Sequence, residues 1–480
     1  MRTYHLDTAD KAPLYEQLYR AIRHDIMHGI LTGGERLPSK RRLAEHLKIS
    51  QITVETAYSQ LLAEGYILSR PRSGYFVQQF EHCAPVPEMP EISEKNTGKN
   101  AAKTPEKPSF SVTKPVVFDF KTNTVDTDCF PFSTWARMLR GELTSRASQL
   151  LAAVPPQGAL ELRTEICRYL TEFRSIQAQP DQIVVGAGSE YLLNLIIQLL
   201  GRDRIYSVEN PGYPRFYRTF QVLGAPVVPV TLDQYGLRTD LLRQSGASAV
   251  YLTPSHHFPL GVVMPAARRM EVVQWALESD DRYIIEDDYD SEFRYASRPI
   301  PAMKELDHAD RVIYLNSFAK TLAPSLRISY MVLPRRLMSD YQNRLGFYAS
   351  TVPSFEQYTL AQFLRTGSFE RHIARIRNLY KNRRNALLHA LAGSPLYPDL
   401  KISGAEAGLH LLVTLKTGMD EQTMIANAEK CGARVIGLSG YYLTAPELCP
   451  PSTVLLGYAG MPETQFPKAA DALTHAWNRA

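Results

Sequence analysis

NSFAKTLAPSLRISYMVLP, residues 316–334, presents one lysine in a chemically unusual setting. Lys320 lies among small and hydroxyl-bearing residues, and Arg327 follows it seven positions later. A lysine forms an imine with an aldehyde when its amine is partly neutral and correctly placed. One lysine in a loop is usually a solvated surface charge, so the neighbouring segments must decide whether Lys320 is reactive.

An acidic segment lies upstream of this lysine. YIIEDDYD, residues 283–290, is an apolar run that ends in acids, which is typical of a buried parallel strand. Parallel α/β sheets bind ligands beyond the carboxyl ends of their strands. A carboxylate beside the ring nitrogen of pyridoxal phosphate (PLP) keeps that nitrogen protonated, so that the ring withdraws electrons. Asp287 is the candidate for this role. Tyr289, two residues on and on the same side of an extended chain, could reach the 3′ oxygen. The alternative is an acidic strand exit that caps a helix or binds a cation.

A glycine-containing turn could receive a phosphate. VVGAGSE, residues 184–190, predicts a strand, a tight turn and the start of a helix. Glycines let the backbone approach an anion, and a helix N-terminus supplies free N–H groups. The alternative, a turn that binds a dinucleotide, requires a third glycine that this segment lacks. The predicted phosphate site consists of Gly186, Ala187, Gly188, Ser189, Ser317 and Arg327.

Two further segments could line the same site. ENPGYPRFY, residues 209–217, offers Tyr213 to stack on the ring and Arg215 to bind a ligand carboxylate. TPSHHFPLG, residues 253–261, carries adjacent histidines without acidic partners at suitable spacing, so we predict no metal site there.

The N-terminal part predicts a different kind of domain. A helix bounded by Pro13 and Gly29 is followed by two short helices that Ser39 and Ser50 could cap. Two short helices joined by a tight turn are typical of a helix-turn-helix. YILSRPRSGYFV, residues 66–77, then predicts a hairpin, or wing, with Gly74 near its tip.

This module could bind the major groove of DNA. The first residues of the second short helix should face base edges, and basic residues around it should contact phosphates. The base-facing candidates are Gln51, Ile52, Thr53 and Glu55, of which glutamine can pair with adenine and glutamate can accept from cytosine. The phosphate candidates are Lys40, Arg41, Arg42, Arg70 and Arg72. A packing domain with a solvated charged face is the alternative.

Composition sets the domain boundaries and excludes some classes. The chain has 480 residues, 44% hydrophobic and 21% charged, with a net charge of +5. A proline- and lysine-rich stretch cannot bury a core, so we predict a helix-turn-helix domain at 11–80, a linker at 81–115 and an α/β domain at 116–480. The sequence has no apolar run of about 18 residues and no signal-like leader, which predicts a cytoplasmic protein. Five scattered cysteines indicate neither a disulfide framework nor a zinc site.

Two resemblances combine these segments. LPSKRRLA, TVETAYSQLLAEGYI and RSGYFV resemble the winged helix of GntR-type regulators over about 12–78. The segments from residue 116 onwards resemble fold-type I aminotransferases, and the whole chain resembles the MocR subfamily of GntR regulators. The resemblance implies PLP held as an imine on Lys320, Asp287 at the ring nitrogen and Tyr289 at the 3′ oxygen. It further implies Ser317 and Arg327 at the phosphate, Tyr213 on the ring, a homodimer and a double-stranded DNA operator.

A position near the C-terminus bears on the effector. Amino-acid-binding relatives are expected to carry an arginine where this chain has Gly460, and a glycine cannot grip a carboxylate. We therefore predict a regulator that senses PLP itself and controls vitamin B6 synthesis. One alternative is an amino acid or amine effector that forms an external aldimine, for which Arg215 remains available. The others are an active aminotransferase and a repressor whose large domain only dimerises.

Overall fold

The computed structural model describes most of the chain, namely residues 2–4, 6–7, 12–70, 73–78, 116–122, 124–295 and 301–478. The chain divides into two compact units, residues 1–107 and 108–480, and each is described by itself. Arg72 and the predicted linker at 81–115 lie outside the described residues. No helix in the described part of the chain is both long and apolar enough to cross a membrane.

The first unit is a three-helix domain with a hairpin. Its elements are α1 (Leu14–Met27), α2 (Lys40–Leu47), α3 (Gln51–Ala63), β1 (Ile67–Arg70) and β2 (Gly74–Val77). The predicted caps are present, since Ser39 Oγ accepts from Arg42 N at 3.3 Å and Ser50 Oγ accepts from Thr53 N at 3.1 Å. Each cap satisfies an N–H group that has no partner within its helix.

Helix α3 and the hairpin complete this unit. Val54, Ala57, Tyr58 and Leu61 of α3 are buried, but Leu62 is exposed because the helical repeat turns it to the edge of the buried face. Strands β1 and β2 pair antiparallel, with Arg70 opposite Gly74. Gly74 has φ of 105°, a left-handed conformation that favours glycine at the start of the returning strand.

The second unit contains the larger core. Its helices are α4 (Phe132–Ser145), α5 (Ala147–Leu151), α6 (Leu160–Arg174), α7 (Ser189–Leu200), α8 (Pro214–Val222), α9 (Thr239–Gln244), α10 (Ala266–Leu277), α11 (Met303–Leu306), α12 (Met338–Leu345), α13 (Ser354–Arg365), α14 (Ser368–Ala392), α15 (Glu421–Lys430) and α16 (Phe466–Trp477). Its strands are β3 (Phe118–Asp119), β4 (Ile183–Gly186), β5 (Tyr206–Asn210), β6 (Val227–Asp233), β7 (Gly236–Leu237), β8 (Ala249–Leu252), β9 (Tyr283–Asp287), β10 (Val312–Ser317), β11 (Ser329–Val332), β12 (Leu400–Ser403), β13 (His410–Leu415), β14 (Ala433–Arg434), β15 (Ile436–Gly437) and β16 (Thr453–Gly457).

A mixed sheet forms the centre of this unit. Its described strands follow the order β4-β11-β10-β9-β8-β5-β6-β7. Strands β10, β9, β8, β5 and β6 are parallel, as the apolar runs predict. Strand β11 is antiparallel to both β10 and β4, because the chain reverses through the turn that contains Lys320.

The strand register brings the predicted site residues to one edge of the sheet. Ser317 at the end of β10 lies opposite Ser329, and Ser329 lies opposite Gly186 at the end of β4. Leu315 of β10 lies opposite Asp287 at the end of β9. The glycine turn, the acidic strand end and the lysine turn therefore leave the sheet side by side.

A smaller sheet covers the C-terminal part of the unit. Its described strands follow the order β12-β13-β16-β15, and the short strand β14, which precedes β15 in the sequence, pairs parallel with β3 from the start of the unit. Helices α14, α15 and α16 contribute to the same apolar core, in which Trp477 is fully buried and donates to the carbonyl of Met424 at 3.0 Å.

Candidate cofactor site and DNA-binding surface

A cavity of about 680 Å³ lies at the carboxyl edge of the mixed sheet. Most of the predicted cofactor residues line it, namely Gly188, Ser189, Tyr213, Arg215, Asp287, Tyr289, Ser317, Lys320 and Arg327. Gly186 and Ala187 are not among the described residues of the lining, and they form the strand end and turn that lead to Gly188. Segments far apart in the sequence thus meet as predicted, although their chemical roles remain predictions.

The side chain of Lys320 is largely buried, and it lines the cavity. It lies in the turn between β10 and β11. Burial lowers the pKa of its amine to about 8, and the nearby Asp290 carboxylate only partly opposes this shift. A substantial fraction of the amine is therefore neutral near physiological pH, which is the form that attacks an aldehyde.

Asp287 presents an unused carboxylate oxygen. The side chain is buried, and the Tyr251 hydroxyl donates to its Oδ2 atom. Its Oδ1 atom has no hydrogen-bond partner among the described residues, and burial raises the pKa of the carboxyl to about 7. A buried carboxylate oxygen without a donor is costly, so the site fits a ligand that brings an N–H group, such as the protonated ring of PLP.

Tyr289 contacts a buried polar pair formed by His256 and Asp290. Its hydroxyl lies 3.2 Å from Nδ1 of His256, and the same nitrogen lies 2.8 Å from Oδ2 of Asp290. His257, the next residue, does not join this pair, since its Nε2 atom lies 3.0 Å from the carbonyl of Pro211. The pair of His256 and Asp290 fixes the position of the Tyr289 hydroxyl at the cavity wall.

The glycine turn and Arg327 form the anion-binding end of the cavity. Gly188 has φ of 102°, a conformation that favours glycine, and a Cβ atom there would lie 2.2 Å from the Arg327 guanidinium and would displace it. Arg327 has φ of 53°, a sparsely populated conformation that is often found at functional sites. Ser329 donates to Ser317 Oγ at 2.9 Å beside this turn. With the start of α7, these groups fit a phosphate.

Glu190 also occupies this anion-binding end, which the sequence did not predict. Its carboxylate accepts from Arg327 at 3.1 Å and from Arg215 at 2.9 Å. Burial alone would raise the pKa of Glu190, but the hydrogen bonds from the two arginines outweigh it and lower the pKa. Arg215, the predicted carboxylate clamp, is therefore already paired with a carboxylate of the same chain.

One wall of the cavity is aromatic. The Tyr213 ring packs edge-on against Phe258 at 5.6 Å, and Phe258 packs against Tyr441 at 5.1 Å. Leu455 of β16 belongs to the same buried cluster. Gly460 is not among the described residues that line the cavity. It follows β16, and a Cβ atom there would lie 3.2 Å from Thr124 Oγ1. Gly460 borders Thr124, which does line the cavity, so the lack of a carboxylate clamp at position 460 stays a prediction.

Sequence reasoning missed three residues of the site. Tyr251, a polar residue in the otherwise apolar strand β8, could have signalled the contact with Asp287. Ser329 is identified only by its register opposite Ser317. Glu190 gave no signal, because acidic residues are common in the first turn of a helix.

The first unit presents the predicted DNA-binding residues with some of their charges already paired. Lys40 Nζ lies 2.6 Å from the Glu55 carboxylate, and Arg41 Nε lies 3.0 Å from Glu45. Gln51 and Ile52 are exposed at the start of α3, whereas Thr53 is half-buried beside its cap. The remaining described candidates are Arg42, exposed on α2, and the hairpin residues Arg70 and Gly74.

Fold and site together define a class of two-domain proteins, with a winged helix-turn-helix unit followed by an aminotransferase-type unit. Residues 14–77 match the model of bacterial regulatory proteins of the gntR family, and residues 116–473 match that of aminotransferase class I and II. The multiple substrate aminotransferase of Thermococcus profundus is 26% identical, with a TM-score of 0.66, over 76% of this chain and 91% of its own.

Three regulators resemble nearly the whole chain. The helix-turn-helix transcriptional regulator YdeL of Bacillus subtilis is 37% identical over 97% of each chain. A probable rhizopine catabolism regulatory protein, MocR of Rhizobium meliloti, is 32% identical over 98% of this chain and 95% of its own. The pyridoxine biosynthesis transcriptional regulator PdxR of Corynebacterium glutamicum is 32% identical over 89% of this chain and 88% of its own. The chain belongs to the MocR-type GntR family of DNA-binding transcriptional regulators with an aminotransferase-like domain.

Proposed function

We propose that this regulator binds PLP at Lys320 and that PLP itself is the signal that changes its affinity for operator DNA. The observation that carries the proposal is the unpaired Oδ1 atom of buried Asp287, in the same cavity as Lys320 with its pKa of about 8. A lysine on the surface would keep its ordinary pKa, and an aspartate with only a structural role would have both carboxylate oxygens hydrogen-bonded.

PLP, when bound, supplies an aldehyde that condenses with amines and a ring that withdraws electrons. Asp287 would hold the proton of the ring nitrogen, and Tyr289 would donate toward the 3′ oxygen. Tyr213 would stack on the ring. Arg327, Ser317 and the N–H groups at the start of α7 would bind the phosphate.

The aromatic wall and one relative favour PLP over an amino acid as the effector. Phe258, Tyr441 and the underlying Leu455 offer no cation to a ligand carboxylate. PdxR of Corynebacterium glutamicum, similar over most of its length, carries pyridoxine biosynthesis in its name. We propose on this basis that the target genes serve PLP synthesis.

An amino acid or amine effector is the second candidate. The cavity extends past the predicted cofactor residues to the segment that contains Lys121, Thr124 and Thr127, and Arg215 also lines it. A second small molecule could therefore bind beside the cofactor. It would have to compete with Glu190 for Arg215.

Capture of genomic fragments by the full-length chain, with and without PLP, tests the proposal. We expect fragments from genes of PLP synthesis whose recovery changes with PLP for the wild type and for Lys121→Ala, a cavity variant outside the proposed cofactor contacts. Lys320→Ala should recover the same fragments without a PLP response. Equal recovery by wild type in both conditions would reject PLP as the signal.

A further inference from the structure

The base-reading end of α3 carries an exposed apolar side chain. Ile52 is the second residue of this helix, and 74% of its surface is exposed. Its helical neighbours at i+3 and i+4, Glu55 and Thr56, are exposed on the same face, opposite buried Val54 and Tyr58. Isolated exposed apolar residues are common, but this one lies where a winged helix meets base edges.

Polar residues beside Ile52 are engaged within the protein. The Thr53 hydroxyl lies 2.7 Å from the Ser50 hydroxyl, and the Thr56 hydroxyl donates to the carbonyl of Ile52 at 2.9 Å. The Glu55 carboxylate, which could accept a hydrogen bond from cytosine, is held by Lys40 at 2.6 Å. The side chains that project freely from the start of α3 are those of Gln51 and Ile52.

Only one base offers an apolar group in the major groove. Thymine carries a 5-methyl group there, and apolar side chains recognise it by contact. Glutamine, in turn, can bond adenine with both its amide groups. We propose that α3 reads A·T pairs, with Ile52 packed against a thymine methyl group, and that the Lys40–Glu55 pair withdraws Glu55 from cytosine recognition.

Uracil tests this contact because it lacks the methyl group and pairs as thymine does. Duplexes are selected from a random pool by the full-length wild-type chain, and each thymine of a selected site is then replaced singly by deoxyuracil. Burial of one methyl group corresponds to about fourfold in affinity. We expect one replacement per half-site to weaken wild-type binding by about this factor, and Ile52→Ala to bind thymine and uracil duplexes equally.

Two variants control for folding and for general apolar effects. Ile30→Ala removes an exposed isoleucine of the same unit that lies outside α3, and it should keep the wild-type preference for thymine. Ile52→Val retains a branched apolar side chain and should keep most of that preference. Equal binding of thymine and uracil duplexes by wild type, or an undiminished thymine preference in Ile52→Ala, would overturn the proposal.

Discussion

Glu190 and Arg327 lie 3.1 Å apart at the start of α7, where the glycine turn and the helix N-terminus together favour an anion. A phosphate bound there must share Arg327 with a carboxylate of the same chain. The same carboxylate also contacts Arg215. The Glu190 carboxylate therefore competes with a bound phosphate for Arg327 and lowers the affinity of the proposed site. A lower affinity suits a protein that must release its signal as well as bind it.

Replacing Glu190 by glutamine should strengthen PLP binding. The substitution keeps the size of the side chain but removes the charge that competes for Arg327, and we expect a gain of about fivefold because exposed ion pairs contribute little. Equilibrium titration of cofactor-free protein measures it. Glu161→Gln is the matched control, since Glu161 is also the second residue of a helix and pairs with Arg146 at 2.9 Å. Unchanged or weaker PLP binding by Glu190→Gln would contradict this role.

The capture of PLP by Lys320 should depend on pH. Burial lowers the pKa of the amine to about 8, so the neutral, reactive fraction grows as pH rises through that value and then levels off. The rate at which the absorbance of the bound cofactor appears should therefore approach a plateau above pH of about 9. A rate that still rises steeply at the ordinary pKa of lysine would show that the amine is solvated.

The pairing of Lys40 with Glu55 predicts a measurable change in DNA binding. Glu55→Gln should free the Lys40 ammonium for a phosphate, and each added phosphate contact steepens the dependence of log K on log salt by about 0.9. Binding to non-specific duplex at several salt concentrations gives this slope. Glu16→Gln, which breaks the Glu16–Arg20 pair of α1, should leave the slope unchanged. If the two variants give the same slope, Lys40 does not reach the phosphates.

The proposed regulator should be a homodimer when PLP is bound. Two winged helices related by symmetry would read two half-sites of one operator. Light scattering at the concentration used for DNA binding measures the mass of the particle. A monomer that binds its operator with full affinity would contradict this expectation.

The sequence predicted the elements of the fold better than the contacts of the site. Ser39 and Ser50 were identifiable as caps because a hydroxyl before a helical repeat has a local meaning. The antiparallel direction of β11 could not be predicted, because the apolar run 328–333 indicates a buried strand but not its direction relative to its neighbours. Strand register, a non-local property, decides that Ser329 lies beside Ser317.

Charges were the hardest feature to predict. We predicted that Lys40, Glu55 and Arg215 would be free to contact DNA or a ligand, but each is paired within the chain, Lys40 with Glu55 and Arg215 with Glu190. Lys40 and Glu55 come from different helices, and Glu190 and Arg215 lie in the first turns of α7 and α8. Such pairs depend on how the elements pack.

The most direct test of PLP sensing is a linked titration of PLP and operator DNA. Cofactor-free protein is titrated with PLP in the presence and absence of operator, and operator is titrated with and without PLP. The account predicts that PLP changes operator affinity, that operator changes PLP affinity by the same factor, and that Lys320→Ala shows neither effect. Amino acids added to the PLP-bound protein should then change operator affinity little. If PLP leaves operator affinity unchanged while one amino acid alters it, the PLP-sensing account is wrong.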